Sequence, residues 1–407
     1  MDIDLTLVIV FIGSIAFLGY FLSFVFKKTK IPDVLPLFLI GLWLGPITGL
    51  VDLSFFGQLG PVFATLALLL ILFEGGLEIN FRQLGRTFHK SLILALATFG
   101  STVLIVAPLA RAIFEVPWST GILVGLILGG TSAAVILPLT KNLKLKSEAR
   151  LALSLESNLS DVLAVILVFG LIGVTSIDAL SQAGLEFVFN LLISLIIGLV
   201  AAYIWAQIIG RLRETEHHIF MTPAFLLLVF GLAEFFAGNG LFAVFMFAVA
   251  LGNLERLHGR VSALPGEIHG FSFTETERQF FAAAAFLLKT FLFVYIGLSM
   301  NIEQWSFIIW GAVVMAILFL VRVVIIELVL GASVSGRDLV LIRGIIPKGV
   351  AGIAILAVLN NQIMQDLSYP VILFSILYTS IFVFIAERLH PAPEEETLII
   401  DNNIKTE

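Results

Sequence analysis

Apolar runs follow one another along almost the whole chain, with short polar segments between them. Each run has about the 20 residues that a helix needs to cross a hydrocarbon core, and the period-two alternation of a transmembrane strand is missing. The pattern therefore predicts an all-α polytopic membrane protein. It has thirteen transmembrane helices, at residues 5–26, 31–50, 61–80, 91–114, 118–140, 150–175, 186–209, 221–237, 240–257, 278–300, 304–331, 339–361 and 369–388.

The loops between these spans carry basic residues on alternate sides, as expected if the count is right. Of the 23 Lys and Arg residues, 18 fall in one set of loops or at the C-terminal end, whereas only Arg111 falls in the opposite set. Because Lys and Arg mark the cytoplasmic side, the N-terminus is expected outside the cell (inner) membrane and the C-terminus in the cytoplasm. Residues 1–390 are expected to form one membrane unit, followed by a short acidic cytoplasmic tail at 391–407.

Composition narrows the classes of function. Hydrophobic residues make up 59% of the chain and charged residues 13%, which is outside the balance of a soluble globular domain. The chain has no cysteine, so disulfides and thiolate metal sites are excluded. The phosphate-binding pattern GxxxxGK followed by Ser or Thr, the zinc pattern HExxH and the hydrolase pattern GxSxG are also missing. We therefore expect no enzyme, no resident cofactor and no nucleic-acid partner.

Spans five and twelve are interrupted by residues that weaken a helix. Span five contains Gly129 and Gly130, and span twelve contains Gly344, Pro347 and Gly349. If spans one to six and eight to thirteen are repeats of inverted topology with span seven as a linker, these two are the fifth members of each repeat. Paired interrupted helices in corresponding positions are the best sequence pointer to a transporter's binding site.

The sixth span places two carboxylates and several hydroxyls inside the membrane. A carboxylate at the centre of a bilayer costs about 2.5–3.5 kcal/mol on insertion scales, so it indicates a functional site. Glu156 and Ser160 are four residues apart, as are Ser157 and Asp161. On a helix this spacing gathers the oxygens on one side.

The distance of each polar residue from the flanking basic residues gives its depth, at about 1.5 Å per residue of helix. Asp161 lies eleven residues beyond Arg150, which is about 16 Å and therefore near the midplane of the bilayer. The same reckoning places Thr131, Lys289 and Lys348 at this level. Four spans are therefore expected to bring polar groups together near the midplane.

Glu156 and Arg343 lie shallower, about 9 Å from the cytoplasmic surface. Their equal depth predicts an ion pair that holds the interrupted helix in place, with direct cation binding by Glu156 as the alternative. Three roles are open for Lys289: it is a partner of Asp161, a proton carrier, or a donor to the carbonyls freed by the helix break. Packing or snorkelling is expected of two further cations, Lys348 and Arg322.

These groups suit the exchange of a small hard cation for a proton. A hard cation prefers oxygen ligands, which Asp161, Ser157, Ser160 and Thr131 supply. A carboxylate in a low-dielectric site holds a proton or a cation but not both. This competition couples the two flows if the site faces each side of the membrane in turn. Glu74, in span three, is expected to cap a helix or line a cavity instead.

Several of these segments resemble the monovalent cation:proton antiporter superfamily, and within it the sodium/proton antiporter branch. That branch has Glu-Ser, two further residues and Asn-Asp in its sixth span. Here the run from Glu156 to Asp161 reads ESNLSD, with Ser160 in place of the Asn. The fifth-span pattern Thr-Asp-Pro-Val-Ala-Val appears as TSAAV from Thr131, without the Asp and Pro. The twelfth-span Arg-Gly with a following Pro matches Arg343, Gly344 and Pro347.

The resemblance implies an elevator-type antiporter fold with inverted repeats, two broken crossing helices, a core domain and a dimerisation domain, usually as a homodimer. It implies that Asp161 carries the cation and the proton, helped by Ser157, Ser160, Thr131 and Glu156, with Arg343 and Lys289 as supporting charges. Electroneutral members have one Asp beside Asn, and electrogenic members have two adjacent Asps. The single Asp161 therefore predicts exchange of one monovalent cation, Na+ first, for one H+. The alternatives are a K+/H+ efflux antiporter of the same fold and a non-transporting channel or sensor.

Overall fold

The computed structural model describes residues 5–26, 34–51, 59–79, 86–171, 177–212, 218–253, 274–334 and 336–391. The predicted acidic tail, apart from its first residue, lies outside the described residues, as does most of the long polar loop at 258–277. Within the described residues the chain is almost entirely helical, with no strand beyond one isolated bridge. The prediction of an all-α membrane protein is confirmed.

The helices follow the thirteen predicted spans in order. They are α1 (Leu5–Phe26), α2 (Val34–Leu42, continued by a π-helical turn Trp43–Ile47), α3 (Leu59–Glu78), α4 (Arg86–Phe114), α5 (Trp118–Gly129), α6 (Ala133–Asn142), α7 (Ser147–Leu171), α8 (Ile177–Leu212), α9 (Met221–Phe235), α10 (Gly240–Gly252), α11 (Glu275–Ser299), α12 (Trp305–Leu330), α13 (Arg337–Arg343), α14 (Val350–Leu359) and α15 (Gln362–Leu389). Across the described ranges, seven helices are long and apolar enough to cross a membrane, and six shorter apolar helices occupy the remaining predicted spans.

The fifth and twelfth spans are each broken into two helices, α5 with α6 and α13 with α14. The two breaks cross and pair through their backbones. The Ser132 amide donates to the Pro347 carbonyl at 2.8 Å, and the Gly349 amide donates to the Gly130 carbonyl at 2.9 Å. Between them, positions 131 and 348 form an antiparallel bridge. Backbone groups that have lost their helical partners inside a membrane need such bonds, so the crossing satisfies both interruptions at once.

Packing divides the helices into two groups. One group contains α4 to α7 and α12 to α15, in which α4 packs against α5, α7 and α12, and α12 packs against α15. The other contains α1 to α3 and α8 to α11, in which α10 packs against α8 and α3, and α11 packs against α2. The main contact between the groups is that of α3 with α14. The crossing therefore lies within the first group, beside α3.

Two glycines let α2 and α11 touch backbone to backbone. A Cβ atom added to Gly297 of α11 would lie 2.8 Å from the Cα of Gly41 of α2. Without a hydrophobic driving force between helices in lipid, small residues at the interface permit the close packing that holds helices together. This contact gives the second group a tightly packed pair next to the first.

Candidate functional site

Asp161 of α7 lies at the point where the two broken helices cross. Its side chain is buried, with 3% of its surface exposed. A Cβ atom added to Gly130 would lie 3.0 Å from its Oδ1 atom, and one added to Gly349 would lie closer still. Gly349 is also the N-cap of α14, whose positive dipole end favours an anion. The carboxylate therefore rests against both breaks, where only glycine leaves it room.

One oxygen of this carboxylate is unused. Among the described residues, Oδ1 of Asp161 is buried and has no hydrogen-bond partner. Buried polar atoms in folded proteins are nearly always paired, and an exception calls for an explanation such as an ion or a catalytic role. The free oxygen makes Asp161 the group at the crossing that is ready to take a proton or a cation.

Ser160 ties the first break to α7. Its hydroxyl oxygen accepts a hydrogen bond from the Thr131 backbone amide at 3.0 Å and shares a second with the Thr131 hydroxyl at 3.1 Å. It donates to the Ser157 carbonyl at 3.0 Å. A hydroxyl has one donor and two acceptor lone pairs, so these contacts occupy Ser160 fully. Its role as a cation ligand stays a prediction. In this structure its contacts connect α7 to the first break.

Ser157 and Thr131 have more spare capacity. The Ser157 hydroxyl is buried and donates to the Ser154 carbonyl at 2.9 Å, which leaves its lone pairs available one helical turn before Asp161. Thr131 is fully buried in the break itself. The described residues contain no group of three or more His, Cys, Asp or Glu side chains placed to hold a metal ion. One carboxylate and neutral oxygens are a ligand set for a hard cation of low charge.

The predicted ion pair of Glu156 with Arg343 is wrong. Glu156 pairs with Arg322 of α12, whose guanidinium meets both carboxylate oxygens, with Nη2 donating to Oε2 at 2.8 Å. Arg322 also donates to the Thr98 hydroxyl of α4 at 3.0 Å. Arg343 pairs instead with Glu327 of α12. Depth along the membrane does not say which face of a helix a side chain lies on.

Lys289 of α11 forms an ion pair with Glu74 of α3. Its Nζ lies 3.7 Å from the Glu74 Oε2, and the two side chains are 25% and 34% exposed. Lys289 is also within electrostatic range of Asp161. The three roles left open for Lys289 stay predictions, and its ion-pair partner among the described residues is Glu74.

Arg322 and Lys348, for which packing or snorkelling was expected, are both fully buried, with 0% and 1% of their surface exposed. The Lys348 ammonium donates to the Thr102 hydroxyl of α4 at 3.2 Å, and the Thr102 hydroxyl donates to the Thr98 carbonyl at 2.9 Å. A polar network thus joins α7, α12, α4 and the second break behind Asp161.

The chain matches a known family of membrane proteins over most of its length. The family model described as sodium/hydrogen exchanger, transmembrane, matches residues 13–388. The chain belongs to this family of sodium/hydrogen exchangers. It is accordingly an integral membrane protein of a transporter family, as the apolar helices also indicate.

Two curated relatives of this exchanger family member are named as antiporters. K(+)/H(+) antiporter NhaP2 of Shewanella sp. (strain MR-4) is 29% identical over 211 residues, which are 49% of this chain and 36% of that protein. Na(+)/H(+) antiporter 1 of Methanocaldococcus jannaschii is 25% identical over 234 residues, which are 54% of this chain and 51% of that protein. The matched part of the chain thus spans about a third to a half of the length of these relatives.

The fold is similar to that of a solved antiporter structure. The sodium proton antiporter MjNhaP1 from Methanocaldococcus jannaschii, in its structure at pH 8, matches with a TM-score of 0.72 at 22% sequence identity. The match covers 94% of this chain and 96% of that one. The antiporter fold, with its inverted repeats and two broken crossing helices, is therefore confirmed.

Thr98 and Thr102 were missed by sequence reasoning. They lie four residues apart in the otherwise apolar span four, so a helix turns both hydroxyls to one side. That spacing was the available signal. In this chain the two threonines form the α4 side of the network behind Asp161.

Proposed function

We propose that this protein is a secondary antiporter that exchanges a monovalent cation, Na+ as the first candidate, for H+. The observation that carries the proposal is the buried Asp161 carboxylate, which lies against both broken helices with one oxygen free of any partner in the described residues. A proton and a cation compete for that oxygen. A site that is loaded with either one, and that faces the two sides of the membrane in turn, couples the two flows.

The exchange is proposed to be electroneutral, with one cation for one proton and without a cofactor. Among the described residues, Asp161 is the carboxylate that lies against both breaks, and Ser160 occupies the position where electrogenic family members carry a second Asp. The other carboxylate of α7, Glu156, is bonded by Arg322 through both of its oxygens. Ser157 and Thr131 complete the ligand set in this proposal, and Glu156 supports it from behind.

Exchange of K+ for H+ is the second candidate. It is favoured by the name K(+)/H(+) antiporter that NhaP2 of Shewanella carries at 29% identity. The ligand set of one carboxylate and neutral oxygens is compatible with either ion, since both are hard cations that take oxygen ligands.

The proposal includes a division of labour between the two groups of helices. The group around the crossing, α4 to α7 with α12 to α15, acts as the moving core, and the group of α1 to α3 with α8 to α11 forms the dimerisation domain of a homodimer. The N-terminus is placed outside and the C-terminus in the cytoplasm, in agreement with the 18 basic residues of one loop set. Because the chain has no native cysteine, single cysteines introduced at each end and labelled from one side of intact cells test this orientation.

The exchange itself is tested in proteoliposomes that contain a pH-sensitive dye and hold an imposed proton gradient. Addition of Na+, and separately of K+, is expected to dissipate the gradient, with the preferred ion acting at the lower concentration. A membrane potential set with a potassium ionophore leaves the Na+ response unchanged if the exchange is electroneutral. Folded protein that responds to neither ion would contradict the proposed function.

A further inference from the structure

Lys348 carries a charge that the exchange chemistry does not explain. It lies in the second break with 1% of its surface exposed, and its ammonium donates to the Thr102 hydroxyl at 3.2 Å. None of the ion pairs found among the described residues includes Lys348. A buried ammonium without a carboxylate partner is costly. An apolar side chain of similar length, such as Met, would fill the same space without that cost, so the charge itself calls for a role.

The buried charges around the crossing balance only if Asp161 is included. Four charged side chains at the crossing are at most 3% exposed, namely Glu156, Asp161, Arg322 and Lys348. Glu156 and Arg322 cancel as a bidentate pair, which leaves Lys348 and Asp161 as the two buried charges outside the ion pairs of the described residues. The Glu74–Lys289 pair nearby adds no net charge.

The two remaining charges belong to one small region. Lys348 is followed directly by Gly349, the residue whose backbone rests against the Asp161 carboxylate. The antiparallel bridge fixes Lys348 against Thr131 of the other break. Lys348 is also within electrostatic range of Arg322 and Glu156. The empty site is therefore neutral overall when Asp161 is ionised, and it carries one excess positive charge when a cation or a proton is bound there.

We propose that Lys348 is a positioning residue that sets the cation affinity of the site: its buried ammonium balances the ionised carboxylate of Asp161 and weakens the hold of that carboxylate on a cation. The inference rests on the proposed exchange at Asp161. Charges in a low-dielectric interior act on each other more strongly than in water, so a cation that arrives at Asp161 is repelled by Lys348. This repulsion keeps the bound cation releasable, which an exchanger needs for turnover.

Four variants separate the charge of Lys348 from its hydrogen bond. Lys348→Gln removes the charge but keeps a donor for Thr102, and Lys348→Met removes both. Lys348→Arg keeps the charge, and Thr102→Val removes the hydrogen-bond acceptor while leaving Lys348 in place. The apparent KM and the maximal rate for Na+ are measured in proteoliposomes at one pH slightly below neutrality, where the Lys348 side chain is protonated, and the stabilisation of each purified variant by added Na+ is measured by thermal unfolding.

The expected result is that Lys348→Gln and Lys348→Met lower the apparent KM by about threefold or more and unfold at higher temperature in Na+ than the wild type does. Lys348→Arg and Thr102→Val keep a wild-type KM. A wild-type KM in Lys348→Gln, or a loss of maximal rate shared by Lys348→Met and Thr102→Val without a change in KM, would overturn the inference and leave Lys348 as an anchor only. If Lys348→Met does not fold, Lys348→Gln decides. Absence of exchange in the wild type would contradict the proposed function instead.

Discussion

Helix α7 carries two buried carboxylates five residues apart, and the two differ in their hydrogen-bond partners. Glu156 has both oxygens bonded by Arg322, whereas Asp161 has an oxygen with no partner in the described part of the chain. The two acids differ little in burial, with 0% and 3% of their surface exposed. What separates a structural carboxylate from one that can exchange ligands is therefore the neighbouring helix: α12 brings a guanidinium to Glu156, and the broken helices bring two glycines to Asp161.

The largest effect is expected from Asp161→Asn, which removes the charge while keeping the shape. Because an amide holds neither an exchangeable proton nor a cation as a carboxylate does, exchange should be abolished. The protein should elute as a single species that unfolds cooperatively, since none of the ion pairs among the described residues includes Asp161. Dissipation of a proton gradient in proteoliposomes measures the first and thermal unfolding the second. Exchange that persists in the variant would place the site elsewhere.

The opposite pattern is expected from Arg322→Met, which leaves Glu156 buried without its partner. Breaking a buried pair from one side costs about 3–5 kcal/mol, so the variant should lose stability far more than Asp161→Asn does. The double variant Glu156→Gln/Arg322→Met should regain most of that loss. Denaturant unfolding in detergent compares the three proteins. A single variant as stable as the wild type would show that the pair does not hold the helices together.

The glycines beside Asp161 give a graded test of how closely the breaks approach the carboxylate. Gly349→Ala should raise the apparent KM for the cation more than Gly130→Ala, because the added methyl group meets the Asp161 carboxylate more closely from Gly349. Gly100→Ala in α4 is the matched control, since a Cβ there has no neighbour within 4 Å. The three KM values in proteoliposomes check the order. Equal effects at positions 349 and 100 would contradict the placement of the carboxylate.

The smallest effects should separate the two serines. Ser160→Ala leaves the buried Thr131 amide without its acceptor, which costs about 1–3 kcal/mol and should appear as a lower unfolding temperature. Ser157→Ala removes only a bond to its own helix, so its stability should stay close to wild type while its KM for the cation rises. The same two assays, applied to both variants, give the comparison. A KM effect confined to Ser160→Ala would make that serine the ligand and Ser157 the bystander.

Much of this arrangement was accessible from the sequence because hydropathy and glycine content act locally. The apolar runs predicted the spans, and the glycines of spans five and twelve predicted the breaks. Counting residues from the flanking basic residues placed Thr131, Asp161 and Lys348 at one depth. In the structure, positions 131 and 348 pair directly and Asp161 lies against both breaks.

The ion-pair partners of the charged residues could not be predicted from the sequence in the same way. Depth gives a position along the membrane normal, but an ion pair also depends on which face of each helix meets which neighbour. Counting residues placed Glu156 and Arg343 at the same depth, yet Arg343 lies at the end of α13 and pairs with Glu327 of α12. Packing or snorkelling was expected of Arg322, because nothing in the apolar sequence of α12 indicates that one of its faces meets α7.

The backbone bridge between the two breaks also constrains insertions and deletions in these two segments. Each break donates one amide bond to the other, on either side of the pairing of positions 131 and 348. Insertion or deletion of a single residue in one break would move every later group out of step with its counterpart. The lengths of the two interruptions are thus tied to each other across more than 200 residues of sequence, and a viable change of length in one would require a compensating change in the other.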